Sequence, residues 1–247
     1  MPAVFVHGVP ETPAVWNALR AELHRDDVIA VQLPGFGCAR PNGFGATKEE
    51  YVEWLVGELE VIKAQGPIDL VGHDWGAGFT IRLVSTRPDL VRSWATDGGA
   101  LGNVKFEWHD FAKIWQTPGE GEQFWTDTLA QSLEERAAAY AALFGVPLEA
   151  SIELNRPIDQ TMADCILDLY RSAPNVGKEW APDFVDIPKP GRIIIASDDP
   201  FLSSDQARES AERAGATVSD FDGLGHWWML QDPARGAALL EAFWATL

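Results

Sequence analysis

The stretch Val71-Gly72-His73-Asp74-Trp75-Gly76-Ala77-Gly78 decides the fold of this chain of 247 residues. The apolar residues before it predict the end of a strand, and the residues after it predict the start of a helix. The glycines on both sides of Asp74 leave space for a strained turn that holds its side chain out over the edge of a sheet. A carboxylate presented in this way can attack carbon and form a covalent ester. Such a nucleophile needs a base, an orienting acid and a pocket.

Strands and helices alternate on both sides of this turn. Short apolar runs predict strands, and segments of helical periodicity separate them. This alternation predicts a parallel sheet with right-handed crossovers. The predicted strands are residues 3–6, 28–33, 68–71, 91–96, 192–196 and 217–221.

The alternation breaks after the fourth strand, and residues 100–182 contain no convincing strand. We therefore expect a helical cap, or lid, over residues 100–185, inserted into an α/β core formed by residues 1–99 and 186–247. A lid at this point covers the carboxyl ends of the strands, where open α/β sheets bind ligands. Its predicted helices are residues 105–115, 121–131, 133–143, 147–155 and 159–172.

Composition excludes several classes of function. A net charge of −18 argues against binding to nucleic acid or to an anionic membrane surface. No apolar run approaches the roughly 20 residues of a membrane span, and the N-terminal residues do not resemble a signal peptide, so we expect a cytoplasmic protein. Cys38 and Cys165 have no metal or redox spacing and are expected to be free thiols. The sequence implies no metal and no cofactor, and it does not indicate an oligomeric state.

His226 is the best candidate for the base among the five histidines. It lies in a glycine-bounded turn after the last predicted strand, which brings it to the same sheet edge as Asp74. Asp198 and Asp199 follow the strand before it, so either can orient the imidazole. The chain order of nucleophile, acid and histidine is the order of a hydrolase triad on this type of sheet.

These motifs resemble the α/β-hydrolase superfamily, and specifically the aspartate-nucleophile branch of epoxide hydrolases and haloalkane dehalogenases. The resemblance covers the whole chain and implies an α/β-hydrolase fold with a sheet trimmed to about six mostly parallel strands. The residues that carry it are His7-Gly8-Val9-Pro10-Glu11, Gly72-His73-Asp74-Trp75-Gly76, Asp199 and Gly225-His226.

The resemblance also implies roles for the residues around the nucleophile. It assigns an oxyanion hole to the backbone N–H groups of Val9 and Trp75, with His7 supporting that loop and bordering the substrate pocket. It assigns the orienting acid to Asp199. Some dehalogenases take this acid from the end of the strand before the lid, which makes Asp97 the reserve candidate.

Features of the lid favour an epoxide as the substrate. Tyr170 lies in a segment that resembles the lid segment whose tyrosine donates a hydrogen bond to the epoxide oxygen. The other lid tyrosine of those enzymes falls at Phe111, which cannot donate. Either Tyr170 works alone, or Trp115, His109 or Tyr140 assists it.

Lid aromatic residues predict the character of the pocket. We expect an apolar, uncharged small-molecule substrate against Trp108, Phe111, Trp115 and Trp180. Fluoroacetate dehalogenases carry arginines just after the nucleophile to bind the substrate carboxylate. This chain has Trp75 and Gly78 at those positions, which argues against an anionic substrate. Two alternatives to an epoxide hydrolase stay open: a haloalkane dehalogenase, in which the Trp75 indole N–H binds halide, and a non-catalytic small-molecule binding protein.

Overall fold

The computed structural model describes residues 1–247. Its strands form one sheet in the order β2-β1-β3-β4-β5-β6, and every neighbouring pair is parallel. The α/β-hydrolase fold expected from the sequence is confirmed, with a sheet that is wholly parallel. The strands are β1 (Ala3–Val6), β2 (Val28–Val31), β3 (Ile68–Gly72), β4 (Val91–Thr96), β5 (Gly191–Ala196) and β6 (Thr217–Phe221).

Helices cover both faces of the sheet and form the lid. They are α1 (Asn17–Glu22), α2 (Lys48–Ile62), α3 (Trp75–Thr86), α4 (Asp110–Gln116), α5 (Glu120–Ala130), α6 (Leu133–Phe144), α7 (Leu148–Asn155), α8 (Gln160–Arg171), α9 (Val176–Trp180), α10 (Ser204–Ala214), α11 (Trp228–Gln231) and α12 (Pro233–Trp244). None of them combines the length and the hydropathy that a bilayer span requires.

The central strands separate two hydrophobic cores. In β1, Val4 and Val6 enter the larger core, whereas Ala3 and Phe5 enter the smaller one. This division follows from the alternation of side chains along a strand. Because β1 and β3 are buried on both faces, their sequences are almost entirely apolar.

All helices from α4 to α9 lie between β4 and β5 in the chain, and no strand interrupts them. The first lid helix begins at Asp110, five residues later than the sequence predicts. Its N-cap is His109, whose Nδ1 accepts the Ala112 N–H at 3.2 Å. Histidine is not among the residues that normally signal a helix start. The short helix α9 was not predicted.

One end of α8 is tied to the start of α2. The backbone N–H of Lys48 donates to the Ser172 hydroxyl at 2.9 Å, and Lys48 Nζ donates to the Ser172 carbonyl at 2.7 Å. Arg40 adds an ion pair to Asp168 at 2.6 Å. These contacts bind the unpaired carbonyl end of α8 to the core, and they fix the helix that carries Tyr170.

Candidate active site

Asp74 occupies a strained turn between β3 and α3. Its φ of 51° and ψ of −118° are unusual for a residue with a side chain, and such strain costs about 1–3 kcal/mol. Gly76 permits the turn, because a Cβ there would lie 2.3 Å from the Val6 carbonyl oxygen. Asp97 supports it by accepting the Asp74 N–H at 3.1 Å. The strain holds the carboxylate at the carboxyl edge of the sheet.

The two oxygens of Asp74 have different neighbours. Oδ1 accepts the backbone N–H of Val9 at 2.8 Å. Oδ2 lies 3.7 Å from His226 Nε2. Trp75 is the first residue of α3, and its N–H has no acceptor within the helix because it belongs to the first turn. Val9 therefore supplies one backbone donor to the Asp74 carboxyl, and the Trp75 N–H stays a predicted second donor of the oxyanion hole.

His226 and Asp199 form a close pair behind the nucleophile. His226 Nδ1 donates to Asp199 Oδ2 at 2.8 Å, and Asp199 Oδ1 accepts the Phe201 N–H at 2.8 Å. Burial alone would lower the pKa of His226, but the Asp199 carboxylate raises it above the ordinary value. The pair leaves Nε2 of His226 directed at Asp74, which is the arrangement a general base needs.

Burial also changes the ionisation of the nucleophile. Desolvation raises the pKa of Asp74 from 3.8 to about 6, and the imidazoles of His226 and His73 limit that rise. A less stabilised carboxylate is a stronger nucleophile. Asp74 is still largely ionised at neutral pH, so it is available to attack carbon.

Asp97, the reserve acid, does not contact His226. Its Oδ2 lies 2.6 Å from His73 Nδ1 and accepts the Trp228 indole N–H at 2.7 Å. Asp97 follows the end of β4 and lies on the His73 side of the Asp74 turn. Asp97 therefore supports the turn, and its assignment as an alternative acid is wrong.

A buried row of charges lies under the site, and sequence reasoning did not find it. His73 lies between Asp97 and Glu11, with Nε2 3.2 Å from Glu11 Oε1. Glu11 also accepts the Trp227 indole N–H and the Gly8 N–H. Burial alone would lower the pKa of His73, but the two carboxylates raise it well above its ordinary value.

Glu11 has the complementary shift. Burial alone would raise its pKa, but the His73 imidazolium lowers it to about 2. The ring of His73 lies 4.6 Å from that of His226, so this row borders the catalytic histidine candidate. The available sequence signal is weak, because His73 directly follows the apolar strand β3 but Glu11 lies in the loop after β1.

His7 does not border the pocket, contrary to expectation. Its Nδ1 donates to the Gly8 carbonyl at 2.8 Å, and its Nε2 accepts the Leu33 N–H at 3.1 Å. Burial lowers the pKa of His7 to about 4, which keeps the ring neutral. Both ring nitrogens hold backbone loops together, and no face is left for a ligand.

A cavity of about 210 Å³ extends from Asp74 into the lid. No lysine or arginine lines it, and most of its wall is aromatic or aliphatic. The expected pocket residues Phe111 and Trp115 are part of the wall. The lining is Val9, Pro10, Asp74, His109, Phe111, Trp115, Phe124, Trp125, Thr128, Ala139, Tyr140, Leu143, Phe144, Asn155, Ile158, Tyr170, Phe201, His226 and Trp227.

Tyr170 extends from α8 into the wall of this cavity. Its ring lies 4.9 Å from that of Trp115 and 5.5 Å from that of Trp75, both edge to face. Burial raises the pKa of Tyr170 well above its ordinary value, and the Asp74 carboxylate adds to this effect. The hydroxyl is therefore protonated and can donate a hydrogen bond.

Two other expected pocket tryptophans do not line the main cavity. The Trp108 indole N–H donates to the Ala173 carbonyl at 2.8 Å, and its ring packs 5.0 Å from that of Tyr170. Trp180 is buried in the larger core. Trp108 therefore supports Tyr170 and lines a smaller pocket that shares Asp74 with the main cavity, whereas Trp180 lines neither. The structure contains no group of three or more His, Cys, Asp or Glu side chains placed to hold a metal ion.

Residues 3–239 match the alpha/beta hydrolase family, to which the chain therefore belongs. The fold and the arrangement of the nucleophile turn, histidine and acid agree with this membership.

Similar proteins include several kinds of hydrolase. The chain is 29% identical to (E)-2-((N-methylformamido)methylene)succinate hydrolase of Acinetobacter baylyi, over 40% of this chain and 37% of that protein. It is 25% identical to a haloalkane dehalogenase of Agrobacterium fabrum, over 99% of this chain and 85% of that protein. It is 28% identical to an epoxide hydrolase of Caballeronia sordidicola, over 73% of this chain and 56% of that protein.

A solved structure has the same fold. The haloalkane dehalogenase from Bradyrhizobium elkani superposes with a TM-score of 0.75 at 19% identity, covering 100% of this chain and 91% of that one. The chain is thus an α/β-type hydrolase, with relatives that act on different bonds.

Proposed function

We propose that this hydrolase converts an apolar, uncharged epoxide to a diol through a covalent ester on Asp74. The observation that carries the proposal is Tyr170, a protonated phenol that lines the same cavity as Asp74. Opening an epoxide creates an alkoxide that needs a proton, whereas a halide leaves without one. The curated epoxide hydrolase among the relatives gives independent support.

In the first step, Asp74 Oδ2 attacks the less hindered carbon of the epoxide. The carbon–oxygen bond of the ring breaks, and its electron pair goes to the ring oxygen. Tyr170 donates a hydrogen bond and then its proton to that oxygen. The product of this step is a hydroxyalkyl ester of Asp74.

In the second step, His226 takes a proton from water, and the resulting hydroxide attacks the carbonyl carbon of the Asp74 ester. Asp199 holds the imidazole in the orientation that makes Nε2 the acceptor. Negative charge develops on Asp74 Oδ1, which is already bonded to the Val9 N–H. Each backbone donor at such an oxygen contributes roughly 10²–10³ in rate. Collapse of the intermediate breaks the bond between the carbonyl carbon and the alkyl oxygen, and the His226 imidazolium protonates the leaving alkoxide to give the diol. The proton left on the Asp74 carboxyl returns to the Tyr170 phenolate, which restores the enzyme.

The wall of the cavity supports an uncharged substrate. A carboxylate would lose its hydration there without meeting a lysine or arginine, and an unpaired buried charge is costly. A dicarboxylate substrate is therefore disfavoured, although one relative is named for a succinate.

A haloalkane dehalogenase is the second candidate, because of Trp75. Its indole N–H is buried beside the Tyr170 hydroxyl without a close hydrogen bond, which leaves a donor that a halide can use. Val9 offers no side-chain donor to complete such a site. A non-catalytic binding protein is the weakest alternative, because the family match is to hydrolases and the His226–Asp199 pair faces the nucleophile.

The test is to block the second step and look for the ester. The His226→Gln variant is incubated with styrene oxide and, separately, with 1-bromobutane. The intact mass of the protein shows whether an adduct has formed, and tryptic mapping then locates it. We expect an adduct on Asp74 from the epoxide. The control is His109→Asn, which removes the other histidine of the cavity and retains a good helix cap at the start of α4.

The control should turn over epoxide without accumulating adduct. An adduct from bromobutane alone would favour the dehalogenase. Absence of any adduct with either reagent would overturn the covalent mechanism.

A further inference from the structure

The lid wall carries polar groups that the proposed reaction does not use. Asn155 on α7 is 4% exposed and lines the cavity that contains Asp74. Tyr140 on α6 lines it too, and its hydroxyl is buried without a partner. Buried polar groups that lack partners are rare in native proteins, and each requires an explanation.

The orientation of the Asn155 amide is fixed by its neighbour. Its Nδ2 donates to the Ser151 backbone carbonyl at 2.9 Å. A carbonyl can only accept, so the nitrogen must face Ser151 and Oδ1 must face away from it. Ser151 in turn donates its hydroxyl to the Ala137 carbonyl at 2.7 Å, which joins α7 to α6. Oδ1 receives no hydrogen bond from the protein, so it is an acceptor that is fixed in position and available to a ligand.

Tyr140 is fixed in position by packing against other rings. Its ring lies 4.8 Å from the rings of both Phe144 and Trp227. Burial, with the charges of Glu11 and Asp74, raises the pKa of its hydroxyl well above the ordinary value, so it stays a neutral donor. Side chains on a helix lean toward its N-terminus. Asn155 follows this rule, since its amide contacts Ser151 one turn earlier, and Tyr140 lines the same cavity from the neighbouring helix α6.

The geometry points to a second subsite, in which Tyr140 and Asn155 bind a neutral group of the substrate that both donates and accepts hydrogen bonds, such as a hydroxyl or an amide. This inference deepens the proposed function, on which it rests, by naming the rest of the substrate: an epoxide on an apolar body that carries such a group away from the ring. A site built for a hydrogen-bonding group discriminates strongly against analogues without it.

Binding measurements test the subsite without turnover. The probes are 4-ethylbenzyl alcohol and 1,4-diethylbenzene, which have nearly the same shape because the hydroxyl of the first is replaced by a methyl group in the second. Both dissociation constants are measured by quenching of tryptophan fluorescence, since Trp115, Trp125 and Trp227 line the cavity. The variants are Tyr140→Phe, which breaks no bond within the protein, and Asn155→Leu.

The readout is the ratio of the two dissociation constants relative to the wild type. We expect each variant to shift the ratio against the alcohol by about five- to tenfold, the range of a neutral hydrogen bond. The control is Thr128→Val. Thr128 lines the same cavity, but its hydroxyl already donates to the Phe124 carbonyl at 2.8 Å, so the ratio should not move.

An unchanged ratio in Tyr140→Phe and Asn155→Leu, or an equal shift in Thr128→Val, would overturn the subsite. These results do not depend on ester formation, so a failure of the epoxide mechanism in the mass experiment is separate from a failure here.

Discussion

Replacement of Tyr170 by phenylalanine separates epoxide opening from halide displacement. The substitution removes the hydroxyl, which lies beside the Trp75 side chain, and retains the ring that packs 4.9 Å from Trp115 and 5.0 Å from Trp108. We therefore expect the free energy of unfolding to stay within about 1 kcal/mol of the wild type.

The expected loss is in the rate of ester formation. General acid catalysis contributes typically about 10²–10⁴ in rate, which corresponds to about 3–5 kcal/mol of activation free energy. We expect the Tyr170→Phe enzyme to form the Asp74 ester from styrene oxide slower by this factor, measured by rapid quench and mass spectrometry. Ester formation from 1-bromobutane should be nearly unchanged, because bromide needs no proton.

The matched control is Tyr51→Phe. Tyr51 is buried away from the cavity, and its hydroxyl donates to the Pro34 carbonyl at 2.8 Å. This control should lose about 1 kcal/mol of stability and keep the wild-type ratio of epoxide to bromoalkane rates. An equal loss with both substrates in Tyr170→Phe would mean that Tyr170 only shapes the cavity. No loss with the epoxide would refute proton donation by Tyr170.

Further predictions concern the residues around the nucleophile. Asp199→Asn should leave ester formation intact and slow its hydrolysis by up to about 10⁴, seen as a burst followed by slow turnover; loss of the burst itself would contradict the role of the His226–Asp199 pair. Because the raised pKa of Asp74 is about 6, the rate of ester formation should fall tenfold per pH unit below that value, and a stopped-flow profile without this acid limb would contradict the assignment. Asp97→Asn leaves the buried His73 cation with one carboxylate and should cost about 3–5 kcal/mol of stability in urea unfolding; wild-type stability with lost activity would instead assign Asp97 to the chemistry.

The core and the nucleophile turn were predictable because their signals are local. The strands β1 and β3 are short apolar runs, and glycines flank Asp74 in the sequence itself. His226 and Asp199 were predictable for a different reason. Each follows a parallel strand, and the carboxyl ends of parallel strands meet at one edge, so their proximity follows from topology.

The lid was less predictable, because aromatic residues give the same signal whether they line a cavity or fill a core. Trp108 and Trp115 are seven positions apart in one aromatic stretch, yet only Trp115 reaches the main cavity, and Trp108 lines a smaller pocket beside Asp74. Trp108 is turned away because its indole N–H finds the Ala173 carbonyl. That partner lies 65 positions along the chain, beyond any local pattern.

The buried charges were missed for a similar reason. An acidic residue in a loop, such as Glu11, is normally exposed, but here it is fully buried as a partner of His73 and Trp227. His7 was misplaced by resemblance alone, since its motif does not reveal that both ring nitrogens are used by backbone groups.

In the proposed mechanism, the hydrogen bond from the Val9 N–H to Asp74 Oδ1 gives the two carboxylate oxygens different fates over many catalytic cycles. If Oδ2 attacks the substrate, that atom leaves with the product when the ester is hydrolysed, and an oxygen from water takes its place. Oδ1 stays on the protein through that cycle. The nucleophile is then a reagent that the solvent renews, and the first product molecule made by each enzyme carries an oxygen that was incorporated when the chain was synthesised.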